Sequence, residues 1–146
     1  MDLADQFSRA FLPAAAEAGV EIPAVSRHMP IFSQCLGRGD APVLVACCRR
    51  AGTRPHRRPG QVLMLTNHRL VITAESRLLR RIRLHLNCDL RDLADVTWIP
   101  EPALAGIRLA ATAVDGVREN LWVDAGDPDR VRRLDDVLHV VFPLRT

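Results

Sequence analysis

The sequence predicts a mostly β fold with some α structure: seven antiparallel strands in a barrel or sandwich, capped by a C-terminal helix and preceded by a helical extension. Short apolar runs bounded by turn residues recur between residues 42 and 126, and residues 127–142 then change to the 3.6-residue period of an amphipathic helix. The chain has 146 residues, which is the length of one domain with its own core. We therefore expect a helical extension over residues 1–41 and a β domain over residues 42–146.

The N-terminal extension shows helical spacing. Leu3, Phe7 and Phe11 recur on one helical face, and Pro13 and Gly19 are expected to interrupt the helix. Such an apolar stripe must be buried against the β domain, a second copy of the chain or another protein.

The strands of the β domain are rich in Val, Leu and Ile, and Gly, Pro, Asn and Asp stand between them. On the first strand, the adjacent Cys47 and Cys48 should point to opposite faces. The predicted strands are residues 43–48, 61–66, 69–73, 78–86, 95–99, 107–113 and 119–123.

The fourth predicted strand alternates between apolar and polar residues. Ile82, Leu84 and Leu86 are expected on one face. The opposite face is expected to carry Arg81, Arg83 and His85. The third and fourth strands should therefore bury one face and expose the other.

The last helix has clear boundary signals. Asp127 is a favourable N-cap residue, Pro128 suits the first helical position, and Pro143 ends the helix. One apolar stripe runs along it, made of Val131, Leu134, Val137, Leu138, Val141 and Phe142. This stripe must pack against an open edge or end of the sheet.

The segment GQVLMLTNHRLVIT at residues 60–73 joins the second and third strands through Thr66-Asn67-His68-Arg69. Asn67 tolerates a left-handed conformation, and the side chains of Thr66 and Asn67 can bond to the turn backbone. We interpret these four residues as a turn that sets the register of the hairpin.

These features resemble the pleckstrin-homology-like (PH-like) superfamily, in its bacterial PH and GRAM-type branch. The resemblance rests on Gly60, the run 63–66, Arg69 with Leu70, and the closing helix, and it covers about residues 42–142. It implies a seven-stranded fold with a terminal helix, and the function of a non-catalytic binding module.

The chain lacks the common enzyme motifs, because it has no Gly-x-Ser-x-Gly elbow, no Walker loop and no Gly-x-Gly-x-x-Gly fingerprint. His85-x-x-Cys88 is the nearest approach to a metal motif, but residues at this spacing on a strand face opposite sides. We predict no enzymatic activity, no catalytic residues, no metal site and no cofactor.

The first residues carry acids and a proline where a secretory signal needs a basic and then apolar start, and no apolar run approaches the length of a membrane span. The four cysteines form no Cys-x-x-Cys pair. We therefore expect reduced thiols, a cytoplasmic location and no transmembrane segment.

Basic residues are concentrated in the middle of the chain. Residues 49–91 contain eleven arginines against Glu75 and Asp89, a net charge of +9. The connection over residues 49–60 is also longer than a hairpin needs. The candidate residues for an anionic ligand are Arg49, Arg50, Arg54, Arg57, Arg58, Arg81 and Arg83.

In lipid-binding PH domains, basic residues of the first strand and the following loop hold phosphorylated head groups, and the resemblance implies comparable places for Arg49, Arg50, Arg57 and Arg58. Those domains also carry a basic pair on the second strand, whereas this chain has Pro59-Gly60-Gln61-Val62. Selectivity for one phosphoinositide is therefore not expected. The same loop also fits a solvated segment whose charge aids solubility.

Three binding functions remain open from the sequence. The leading hypothesis is a protein partner, including a second copy of the chain, with the N-terminal helices as a further contact surface. The second is an anionic lipid surface or phosphorylated head group bound by the arginine-rich loop. The third is nucleic acid, which the shortage of aromatic residues disfavours, since the chain has two Trp, four Phe and no Tyr.

Overall fold

The computed structural model of the chain describes residues 3–17, 22–37, 39–52, 60–76 and 81–142. The α-helices are α1 Leu3–Glu17, α2 Ile22–Val25, α3 Met29–Cys35 and α4 Pro128–Val141, and short 3-10 turns cover Ser26–His28, Leu90–Asp92 and Pro102–Leu104. The strands are β1 Pro42–Arg50, β2 Gln61–Thr66, β3 Arg69–Glu75, β4 Ile82–Asp89, β5 Ala94–Glu101, β6 Gly106–Thr112 and β7 Arg118–Asp124.

The strands form one antiparallel sheet in the order β4-β3-β2-β1-β7-β6-β5. β1 is central, because Cys48 pairs with Gln61 of β2 on one side and with Val123 of β7 on the other. β4 and β5 are the two edges, and no pairing joins them among the described residues, so the sheet is not closed. The predicted PH-like architecture of seven antiparallel strands and a closing helix is confirmed.

The sheet curls around its main core, and α4 covers one end of it. Leu134 and Leu138 of α4 line the same small apolar space as Leu44, Leu65 and Leu70, so α4 lies over the end where β1 begins. The helix starts as predicted, with the Asp127 carboxylate accepting a hydrogen bond from the Arg130 amide at 2.9 Å. Its predicted docking on the sheet is confirmed.

The convex face of β1, β2 and β3 is also apolar, and the N-terminal helices cover it. We call α1, α2 and α3 with the intervening turn, residues 3–35, the N-terminal layer. The sheet contributes the fully buried Val45, Val62, Met64 and Val71, and the layer contributes Phe11, Ala15, Val25 and Phe32. The N-terminal stripe is thus buried against the chain's own sheet at Phe11, while the side chains of Leu3 and Phe7 lie outside the described residues.

Helix α1 continues through Pro13, contrary to the expectation above. Phe11 and Ala15 lie on either side of this proline, and both are fully buried. Their packing offsets the backbone hydrogen bond that proline removes. The expected interruption at Gly19 lies outside the described residues, and the division of the chain at residue 42 remains a prediction.

Strands β3 and β4 differ from the expected pattern of burial. Residues 70–73 of β3 are all buried, so this strand is covered on both faces. A bulge in β4 places Leu86 opposite Ile72 and Leu84 opposite Thr73. Ile72 and Thr73 are adjacent in β3, so they point to opposite faces of the sheet. Leu84 therefore lies on the convex face and is 48% exposed, and the prediction that it shares the face of Leu86 is wrong.

Gly106 makes room for a tryptophan on the convex side of β6 and β7. The Trp122 Nε1 donates to Asp124 Oδ1 at 2.9 Å, which holds the indole flat along the sheet. A β-carbon at residue 106 would overlap the indole ring and would lie 2.8 Å from the Val123 carbonyl oxygen. Glycine is therefore required at this position.

We expect Gly106→Ala to lower the free energy of unfolding by about 1 to 3 kcal/mol, because the methyl group must displace the indole or the backbone. Gly60→Ala is the matched control, since a β-carbon there meets no atom within 4 Å. Urea unfolding followed by tryptophan fluorescence measures both. Equal stability of the two variants would show that Trp122 moves aside without cost.

Candidate functional site: the open end of the sheet

Several strand ends meet at the end of the sheet opposite α4. β1 finishes and β2 begins here, and β3 finishes and β4 begins here. The Ala51 amide donates to the Asn120 carbonyl at 2.9 Å, which brings the start of β7 beside the end of β1. His85 of β4 reaches across to β7, with Nε2 3.3 Å from Glu119 Oε1. We call this region, residues 50–52, 60–61, 75–76 and 81–85, the open end.

Three of the candidate arginines lie at the open end. Arg50 pairs with Leu121 of the main core, and Arg83 pairs with Ala74 on the same side of the sheet, so both lie on the concave rim. Arg81 directly precedes β4, where its carbonyl accepts a hydrogen bond from the Ser76 amide at 2.8 Å. All three residues are exposed, and Arg81 and Arg83 form no ion pair with the residues that the structure describes.

Arg49 lies on the opposite face of β1 and is engaged there. Its guanidinium lies 5.7 Å from the centroid of the Trp122 ring, and Nη1 is 3.9 Å from Asp124 Oδ1. The side chain is only 27% exposed. The structure therefore does not bring Arg49 together with Arg50, although the two are adjacent in the sequence.

Arg54, Arg57 and Arg58 lie outside the described residues. The described residues on either side of them, Gly52 and Gly60, are both at the open end. A role for these three arginines remains a prediction.

The turn between β6 and β7 lies beside the last part of β4, away from Arg81 and Arg83. Residues 113–117 connect β6 to β7, with the Asp115-Gly116 turn closed by a hydrogen bond from the Val117 amide to Asp115 Oδ1 at 3.0 Å. The Val114 backbone is hydrogen-bonded to the Cys88 thiol, and the charges of Asp92, Asp89 and Asp115 act on that thiol. Val114 and Val117 are 73% and 52% exposed, but their neighbours on β4 are acidic rather than basic.

The two residues of the His85-x-x-Cys88 pattern have different partners in the structure. His85 faces Glu119, whereas Cys88 is buried and its thiol donates to the Asp89 carbonyl at 3.4 Å. Among the residues described, no group of three or more His, Cys, Asp or Glu side chains is placed to hold a metal ion.

The adjacent thiols of Cys47 and Cys48 lie on opposite faces of β1, as predicted. Burial, with a smaller effect of the Asp124 charge, raises the pKa of Cys47 to about 11. Burial also raises the pKa of Cys48. Both groups are therefore protonated at neutral pH, which is typical of packed thiols rather than nucleophiles.

The Thr66–Arg69 segment is a turn, as interpreted from the sequence. Thr66 Oγ1 accepts hydrogen bonds from the amides of His68 and Arg69 at 3.0 and 2.8 Å. The Asn67 side chain accepts from the Ala41 amide at 3.2 Å and donates to the Gly39 carbonyl at 3.1 Å. We call this junction between residues 37–41 and 66–69 the clasp.

Asp40 is the centre of the clasp. Its side chain is 3% exposed, and its oxygens lie 2.6 Å from His68 Nδ1 and 3.3 Å from Arg69 Nε. Burial acts to raise the pKa of Asp40, but hydrogen bonds from the Gly37 amide and His68, with the charges of His68 and Arg69, outweigh it and hold the pKa below its usual range. His68 therefore has a structural partner. The clasp lies at the end of β2 that is away from the arginines of the open end.

No family model and no curated protein matches the chain. Among solved structures, it is similar to the crystal structure of a pleckstrin homology domain from Shewanella amazonensis SB2B, with a TM-score of 0.46 and 11% sequence identity over 81% of this chain and 98% of that chain. No functional residue is carried over at this identity. Among the described helices, none has the length and apolar character needed to cross a bilayer.

We expect Asp40→Asn to lower the free energy of unfolding by about 1 to 3 kcal/mol at neutral pH, because the charged hydrogen bonds of the clasp are lost. The folded pKa of Asp40 is below its unfolded value of 3.8, so its contribution is complete above that value and is lost as the pH falls through the folded pKa. The difference between wild type and variant should therefore shrink below about pH 4.

Chemical unfolding of both proteins over this pH range measures the difference. Asp136→Asn is the control, because Asp136 is exposed on α4. A wild-type advantage over Asp40→Asn that does not change with pH would contradict a contribution from the ionised carboxylate.

Proposed function

We propose that the chain is a non-catalytic binding module that docks on anionic lipid surfaces through the open end. The observation that supports this most is that the exposed Arg50, Arg81 and Arg83 lie at one end of the sheet, with Arg50 and Arg83 on its concave rim. Arginine's planar fork matches phosphate oxygens.

The structure gives the hypothesis of a protein partner less support than the sequence alone does. The N-terminal stripe needs a surface to cover it, and Phe11 and Phe32 are fully buried against the chain's own sheet. The stripe therefore does not require a second protein. A protein partner remains a prediction, and the vesicle experiment below also bears on it.

The recognition that we propose is electrostatic and has little preference among anionic head groups. β2 begins with Gln61, so the second strand places no charge at the open end. Arg81 and Arg83 reach the open end from β4 instead. Affinity should then depend on surface charge and on salt more than on the chemistry of one head group.

We expect Arg81→Ala with Arg83→Ala to weaken binding to phosphatidylserine vesicles about thirtyfold at low salt, because each arginine near an anionic surface contributes about 1 kcal/mol. At about 1 M salt the screening length falls to about 3 Å, and the two proteins should bind equally weakly. Co-sedimentation with vesicles at both salt concentrations measures this, with phosphatidylcholine vesicles as the baseline.

The matched control is Arg91→Ala with Arg132→Ala, which removes the same charge from residues that are 89% and 75% exposed elsewhere on the fold. Equal weakening in both double variants would show that net charge, and not the open end, directs binding. Wild-type protein that ignores anionic vesicles at low salt would reject the proposal and favour a protein partner. Tighter binding to duplex DNA than to vesicles at the same salt would favour nucleic acid.

A further inference from the structure

A buried histidine lies between the N-terminal layer and the sheet. His28, in the 3-10 turn Ser26–His28, is 0% exposed, and its ring stacks on Phe32 of α3 with 6.4 Å between the ring centroids. Its Nδ1 is 2.6 Å from Thr73 Oγ1 of β3. This hydrogen bond joins the layer to the sheet within the apolar interface.

The surrounding hydrogen bonds assign the tautomer of His28. A neutral imidazole has one N–H group, and only on Nδ1 does that group have an acceptor, because Nδ1 lies beside Thr73 Oγ1 and Nε2 has no partner among the described residues. The Thr73 hydroxyl can then turn toward the Val62 carbonyl, 3.5 Å away. Thr73 Oγ1 therefore accepts the proton of His28 Nδ1, and the lone pair of the neutral ring is on Nε2. Nε2 is buried and has no hydrogen-bond partner within the described structure.

A second proton on this ring has no place in the closed structure. It would create an N–H group on Nε2 without an acceptor, and it would put a charge into an apolar interface. Burial accordingly lowers the pKa of His28, the Glu75 carboxylate of β3 acts to raise it, and Arg27 of the same turn acts to lower it. The Glu75 carboxylate is already paired with Arg27, with 2.5 Å between Arg27 Nη1 and Glu75 Oε1. The residues of the surrounding interface, Val62, Phe11 and Phe32, are apolar.

We propose that His28 is a proton-sensitive latch, and that its protonation in mildly acidic solution releases the N-terminal layer from the convex face of β1, β2 and β3. The clasp at residues 37–41 remains closed and acts as the hinge. Release exposes Val45, Val62, Met64 and Val71, so the acid form presents an apolar surface that the neutral form keeps covered.

The size of the effect follows from proton linkage. The ordinary pKa of histidine is 6.5, and the folded value is lower, so the neutral ring stabilises the closed layer fully above 6.5 and progressively less as the pH falls below it. At pH 5.5 the opening equilibrium of the layer should be larger than at pH 7.5 by up to about tenfold, the limit for a ring that stays neutral in the closed layer at both pH values. The Asp40 carboxylate stays ionised at pH 5.5, because its pKa is held below 3.8.

Hydrogen exchange of the full chain, corrected for the intrinsic pH dependence of amide exchange, measures this opening at pH 7.5 and 5.5. We expect amides of α1 and α3 to lose up to about tenfold in protection at the lower pH. Amides of β7 serve as an internal reference and should not change. The Met64 methyl signal in NMR spectra should shift in parallel, because Met64 lies beneath the layer.

His28→Phe removes the titrating group and retains an aromatic ring against Phe32, so its layer should show the same protection at both pH values. His139→Gln is the control, since His139 is 66% exposed on α4, and it should retain the wild-type effect. If His28→Phe does not fold, an NMR titration of His28 in the wild type tests the latch instead. The ring must stay neutral until the layer opens, so a His28 ring that becomes protonated while α1 and α3 stay protected would contradict the latch.

Three results would overturn the latch. The first is equal protection of α1 and α3 at the two pH values in the wild type. The second is an equal loss in His28→Phe, which would assign the effect to another group. The third is a parallel loss in β7, which would indicate unfolding of the whole sheet rather than release of the layer.

Discussion

Strands β1, β2 and β3 carry apolar side chains on both faces, so each face needs its own cover. In β2, residues 62–66 are buried without interruption, which an exposed sheet face does not permit. On the concave side, the curled sheet and α4 provide the cover, and on the convex side the N-terminal layer provides it. Burial of each large apolar side chain contributes about 1.5 to 3 kcal/mol, so a bare convex face with four such residues would cost a large part of a domain's stability.

The same two-sided burial explains which parts of the fold could be predicted from the sequence. Continuous apolar runs and turn residues predicted the strands, and the capped periodic stripe predicted α4, because these signals are local. The bulge in β4 could not be predicted, since it depends on how Leu84 and Leu86 pair with β3. The clasp was also missed, because Asp40 and His68 are distant in the sequence and nothing local marks Asp40 as the partner of His68.

The candidate site shows a similar division between local and long-range information. The sequence identified the basic segment by its charge, but strand alternation separates Arg49 from Arg50, and the Trp122 ring then occupies Arg49. The connection between β3 and β4 brings Arg81 and Arg83 to the end of the sheet where β1 finishes with Arg50. Such neighbours come from pairing across the sheet, so a composition count could not find them.

Two of the ionisable groups that hold the layer and its hinge have opposite character, which separates their responses to acid. Asp40 is charged in the folded state and its partners favour that charge, whereas His28 is neutral and its surroundings oppose a charge. Acid therefore acts first on the middle of the layer and only at much lower pH on its hinge. The guanidinium groups of the open end remain charged throughout this range. A mildly acidic solution can thus uncover the convex face while the clasp stays closed, because the latch and the hinge depend on groups that titrate in different ranges.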